Sequence, residues 1–101
     1  MRRRYVLAPE AALDLVMIWR YITKNASVEM ADRVEADIRE KFVFLATHPG
    51  AGHRREDFTD EPVRIFPIYS YLIVYRPETK PLHVIAIVHG RRDVEEILKN
   101  R

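Results

Sequence analysis

The stretch 63-VRIFPIYSYLIVYRPETKPLHVIAIVHGRRD-93 decides the fold. It holds two strongly β-forming runs, Tyr71–Arg76 and Leu82–His89, joined by Pro77-Glu78-Thr79-Lys80-Pro81, with a third run, Val63–Phe66, before them. Val, Ile, Tyr and Phe suit a pleated, half-buried surface. The two prolines confine the turn, because proline donates no ladder hydrogen bond. Alternation sets Leu82, Val84, Ala86 and Val88 against His83, Ile85, Ile87 and His89, and Leu72 and Val74 against Tyr71, Ile73 and Tyr75. A sheet that is apolar on both faces needs cover on both. Helices can supply one cover; for the other, the chain's own loops and tail compete with a partner chain.

Working outward, Arg3–Leu7 reads as a short strand. Pro9 suits the first turn of a helix to about Lys24, in which Leu15, Ile18, Trp19 and Ile22 repeat at helical spacing. Trp19 belongs to that stripe and is expected in the core. Ser27 is placed to cap a second helix to about Thr47, with Glu29 in its first turn and Ala31, Val34, Ile38, Phe42 and Leu45 as its inner stripe. So short a link predicts an antiparallel helical hairpin. His48-Pro49-Gly50-Ala51-Gly52 ends the second helix, and the polar run to Pro62 reads as a loop. Val94–Asn100 carries a short helical pattern. The expectation is α+β: an N-terminal strand, a helical hairpin packed on an antiparallel β-sheet, and a short C-terminal helix.

At 101 residues the chain is expected to form a single domain, 1–101. An apolar fraction of 48% beside a charged fraction of 32% describes a globular rather than a disordered chain. There is no cysteine, hence no disulfide framework and no thiolate chemistry. No apolar run approaches the roughly 20 residues of a membrane span. Met1-Arg2-Arg3-Arg4 resembles a signal n-region, but Pro9, Glu10 and Asp14 interrupt what would follow, so a cytoplasmic protein is expected.

Net charge is only +2, but its distribution is uneven. From Val63 to Arg92 the single acid is Glu78, against Arg64, Arg76, Lys80, Arg91 and Arg92. A basic β region can meet a nucleic acid or an acidic protein, and a solvated mixed surface reads the same way. His48, His53, His83 and His89 lack metal-ligand spacing, and Ser27 and Ser70 lack a triad pattern. No cofactor loop is present. His89, Arg91, Arg92 and Asp93 form the densest polar constellation, suited either to acid–base work on a phosphodiester or to a structural ion-pair network; spacing favours the latter.

These residues resemble a family. Tyr5-Val6-Leu7-Ala8-Pro9-Glu10-Ala11, Ile18-Trp19…Tyr21-Ile22, Leu45…His48-Pro49…Gly52, Arg64…Phe66-Pro67…Ser70-Tyr71…Tyr75-Arg76 and Val88-His89-Gly90-Arg91-Arg92-Asp93 are similar to the ParE/RelE toxins of bacterial type II toxin–antitoxin systems, also called plasmid stabilisation proteins. The last motif and the Trp19 helix resemble the ParE-like branch. The resemblance implies a toxin neutralised by a cognate antitoxin, inhibiting DNA gyrase by binding, with no catalytic residues, cofactor or metal. The antitoxin and gyrase would meet the sheet at Arg64, Tyr71, Ile73, Tyr75, Arg76, Ile85, Ile87, Arg91 and Arg92. The alternative is a RelE-type ribosome-dependent mRNA endonuclease using Arg64, His89, Arg91 and Arg92. Leu72 stands where that branch carries an arginine, and Phe66 is not basic, so its catalytic set is incomplete. Tyr69 stands where the family usually has glycine.

Overall fold

A computed structural model of the chain describes residues 3–54 and 62–90. The elements run β1 (Tyr5–Leu7), α1 (Pro9–Asn25), α2 (Val28–Thr47), a 3-10 turn (Pro49–Ala51), β2 (His53–Arg54), β3 (Arg64–Ile68), β4 (Tyr71–Arg76) and β5 (Leu82–His89). Two helices therefore pack on a five-stranded sheet ordered β1-β5-β4-β3-β2. The consecutive strands β3, β4 and β5 are antiparallel, as expected, while β1 joins β5 in parallel and makes the sheet mixed. The expected C-terminal helix, and the loop from residue 55 to 61, lie outside the described residues.

Each helix begins where its local chemistry directs. Pro9 opens α1 without losing a needed donor, and Glu10 and Lys24 sit at the ends that the helix dipole favours. Ser27 caps α2, its Oγ accepting the Met30 N–H at 3.1 Å. All five residues of the α2 stripe are buried. Burying Phe42 and Leu45 contributes about 1.5–3 kcal/mol each. Only Ala11 and Leu15 of α1 are fully enclosed; Ile18 and Ile22 pack half-buried against the same cluster. Trp19 differs from expectation. It is half-buried and braces the hairpin, its indole N–H donating to Asp32 Oδ1 at 2.8 Å.

Three features of the sheet depart from simple alternation. His53 and Arg54, expected in a loop, pair with Ile65 and Arg64 as a two-residue edge strand. The third run continues through Pro67 to Ile68. Ile68 opposite Tyr71 closes a two-residue turn, so the next pair, Pro67–Leu72, is the non-hydrogen-bonded kind. Proline is tolerated there because its missing N–H faces an edge that β2 no longer reaches.

The third departure is a bulge. Val74 pairs with Ala86, but Tyr75 pairs with Val84, which leaves Ile85 extra. Alternation restarts one residue out of step. Leu82, Val84 and Ile87 thus face the helices with Ile73, Tyr75, Phe42 and Ile38. Ala86 and Val88 turn the other way, with Val63, Ile65 and Val74, and Leu72 and Ile85 pack against them. The expected assignment of Leu82, Val84, Ala86 and Val88 to one face is corrected accordingly.

The second face is not open. Val74 and Ala86 are 0% exposed, and Val63, Ile65 and Val88 are at most 5% exposed, within this chain alone. Of the two covers considered for that face, these residues need no partner chain.

Candidate functional site

The end of β5 gathers polar and aromatic groups. His89 is exposed there, its ring edge-on to Tyr71 across the strand pair at 5.5 Å between centroids. Burial raises the Tyr71 phenol above its ordinary value, and the nearby Tyr21 hydroxyl adds to this. Gly90 follows at φ 87°, a left-handed turn that glycine makes without strain, and so redirects the chain after His89. Arg91 and Arg92 lie outside the described residues.

Along the strand leading to this cluster β5 loses its β1 neighbour but not its cover, with Ala86 0%, Ile87 3% and Val88 5% exposed. β1 pairs with β5 only from Leu82 to Val84, and among the described residues no strand pairs beyond that. Asp14 of α1 reaches the next outward donor, its Oδ2 accepting the Ile87 N–H at 3.1 Å. At about 100° per residue, Tyr21 sits on nearly the same side of α1 as Asp14, seven residues on. Above them the helix shows solvent an apolar stripe of Leu13, Val16, Met17 and Tyr21, between 44% and 64% exposed. A helix inner face should be apolar; this is its outer face. The outcome is an apolar ridge on the outer face of α1, a geometry that fits the apolar face of an amphipathic segment.

The expected partner-binding residues do not converge on this place. Ile73 and Tyr75 are 0% exposed and Ile87 is 3% exposed, all in the core beneath the helices, so these three cannot present a contact surface as the chain folds here. Ile85, displaced by the bulge, is half-buried on the opposite face. Arg76 ends β4 opposite His83. Among the described residues of the set, Tyr71 alone stands at the β5 terminus.

Arg64 has a structural task. Its Nη1 donates to the Gly52 carbonyl at 2.8 Å. The Tyr75 hydroxyl accepts the Gly52 N–H at 2.8 Å and donates to the Pro49 carbonyl at 2.7 Å. A side chain at Gly52 would collide with the Tyr75 ring and hydroxyl and come within 3.0 Å of the Ile65 carbonyl. Burial raises the Tyr75 phenol, opposed by the Gly52 N–H and by Arg64. Arg64 and Tyr75 are paired, and Tyr75 lies four residues along β4 from Tyr71, the partner of His89. Four strand residues span about 13 Å. The structure therefore separates Arg64 from His89.

The α1 ridge and Asp14 were not among the expected site residues. A signal existed: α1 carries Leu13, Val16 and Met17 in addition to its inner stripe, more apolar residues than one face requires. At the β3–β4 turn Tyr69 is held at φ 55° and its hydroxyl donates to Asp37 of α2, which ties the turn to the hairpin and raises the phenol. Among the described residues no group of three His, Cys, Asp or Glu is placed to hold a metal. No described helix is long and apolar enough to cross a membrane.

A family model described as the ParE toxin of the type II toxin–antitoxin system parDE matches residues 5–94. The chain belongs to the ParE toxin family. Among solved structures, a chain of the chromosomal ParDE toxin–antitoxin system from P. aeruginosa is similar, with a TM-score of 0.70 at 21% identity. The match covers 86% of this chain and 95% of that one. No curated protein matches the sequence. At that identity the structural likeness speaks for the fold, and the matched segment runs from the start of β1 past the end of β5. The β5 terminus and the α1 ridge are thus both parts of the ParE domain itself.

Proposed function

We infer that this ParE-family toxin acts by binding, inhibits DNA gyrase in the bacterial cytoplasm, and is neutralised by a cognate antitoxin, the arrangement that stabilises a plasmid. The whole chain acts as one toxin domain. The observation that carries the binding mode is the separation of Arg64 from His89. Phosphodiester cleavage by these side chains requires an acid–base group and cations converging on one phosphate. Arg64 is instead fixed on Gly52 at the far end of the strands.

The antitoxin lays an amphipathic segment along Leu13, Val16, Met17 and Tyr21 and reaches the exposed His89 at the end of β5. Tyr71, Arg76 and Ile85 supply partly exposed contacts, and Arg91 and Arg92 extend the basic character past the strand end. The deciding experiment measures gyrase supercoiling of relaxed plasmid with the purified toxin, with and without antitoxin. Inhibition with accumulated cleaved DNA, relieved by antitoxin, is expected. Full supercoiling at a large excess of toxin, together with truncation of translated messages, would replace this reading with the endonuclease.

A further inference from the structure

At the opposite end of β5 a separate concavity opens, with a volume of about 660 Å³. Its rim carries Arg3 and Arg4 from the chain before β1, Lys80 from the turn between β4 and β5, and Thr47 at the end of α2. Leu82 and Pro81 add apolar surface. That volume falls in the range of about 300–1,000 Å³ typical of ligand sites, enough for a few side chains and too little for a folded surface.

The backbone holds these cations in register. The Leu82 N–H donates to the Arg4 carbonyl at 3.0 Å, which ties the segment before β1 to the start of β5. Thr79 braces the turn on the other side. Its hydroxyl accepts the His83 N–H at 2.9 Å and donates to the Arg76 carbonyl at 3.2 Å. Thr47 donates its own hydroxyl back to Val43 at 3.2 Å. Both threonines are engaged within the fold, so the polar chemistry available to a ligand is that of the cationic heads.

Charge decides what those heads are for. Among the described residues lining the groove there is no carboxylate, and the side chains of Arg3, Arg4 and Lys80 have no hydrogen bond or ion pair. The end of α2 does face them, and α2 has no basic residue in its own last turn. That end carries only about half a negative charge. Three cations against half a charge leave the groove positive by roughly two and a half units, so neutralising the helix end accounts for a small part of them.

The ligand is therefore anionic, and the rest of the lining tells which kind. Grooves that take single-stranded nucleic acid pair their cations with aromatic rings for base stacking. No aromatic residue lines this one among the described residues, whereas Leu82, Pro81 and Ala46 offer aliphatic surface. Guanidinium groups take carboxylates in bidentate pairs, and aliphatic surface takes aliphatic side chains. We propose that this groove docks an acidic, extended segment of a partner polypeptide, its carboxylates on Arg3, Arg4 and Lys80 and its apolar side chains on Leu82 and Pro81.

The test is a titration of the isotopically labelled full chain, followed by amide NMR. The probes are an end-blocked peptide of alternating aspartate or glutamate and leucine, its asparagine and glutamine counterpart, and a short single-stranded oligonucleotide. The acidic peptide is expected to move the amides of Thr47, Thr79 and Leu82 and to weaken as salt rises, while the neutral peptide moves none. Arg3→Gln, Arg4→Gln and Lys80→Gln combined should weaken it about tenfold with the remaining spectrum unchanged, and Lys24→Gln should not affect it. Equal binding of the neutral peptide, or an undiminished affinity of the triple variant, would overturn the proposal. Tighter binding of the oligonucleotide at the same amides would reassign the groove to nucleic acid. Because the titration contains no gyrase, its result and that of the supercoiling assay are read separately.

Discussion

Gly52 is a position where the chain has no room for a side chain. Gly52→Ala drives a Cβ into the Tyr75 ring, an overpacking that should cost about 1–3 kcal/mol in urea unfolding. Tyr75→Phe removes the hydroxyl that satisfies the buried Gly52 N–H and should cost about as much, 1–3 kcal/mol. The same hydroxyl sets an alkaline limit. Burial raises its folded pKa above the ordinary phenol value, as it does that of Tyr71, so the folded state holds these protons more tightly than the unfolded chain. Stability should be unaffected by them below about pH 10 and fall as pH rises beyond it. Urea midpoints between pH 8 and 11 should show that fall, with a smaller slope in Tyr75→Phe. Little of this was legible beforehand. In the sequence Arg64 reads as one of a row of strand cations near His89, since strand composition reveals neither the 13 Å between strand ends nor a carbonyl twelve residues back.

At the scale of elements the helices were the most readable, because a 3.6-residue stripe with a serine cap leaves few alternatives. Ser27→Ala should remove about 1 kcal/mol and speed exchange of the Met30 amide. Trp19→Phe keeps the ring and loses the bond to Asp32; about 1 kcal/mol is expected, seen as a lower urea midpoint. The strands were found, but their faces were only half read. A bulge adds one residue without changing composition, so period-two counting places Ala86 and Val88 on the wrong side and sets Ile87 beside Ile85. Two-residue β2 fell below any pattern, since His53 and Arg54 are exposed and polar.

For the molecule as a whole, α1 is the informative part. Leu13→Ser, Met17→Ser and Tyr21→Ser remove exposed apolar groups and should each change stability by no more than about 0.5 kcal/mol. Co-purification with antitoxin should nevertheless be lost, a separation that unfolding and pull-down assays check together. The fold and the family were visible in the motif order, whereas the apolar ridge of α1 lies outside the sheet pattern that carries the motifs. Asp14 adds a consequence of another sort. A strand margin with no neighbour recruits its own kind, and among the described residues β5 has no strand neighbour on its β1 side beyond Val84. With its carboxylate seated on the Ile87 amide, Asp14 places a fixed anion where a second strand would add. Asp14→Ala should leave that buried amide without its acceptor, lower the urea midpoint by the equivalent of about 1–3 kcal/mol, and make the chain scatter light as it concentrates, because the margin is then free to loosen.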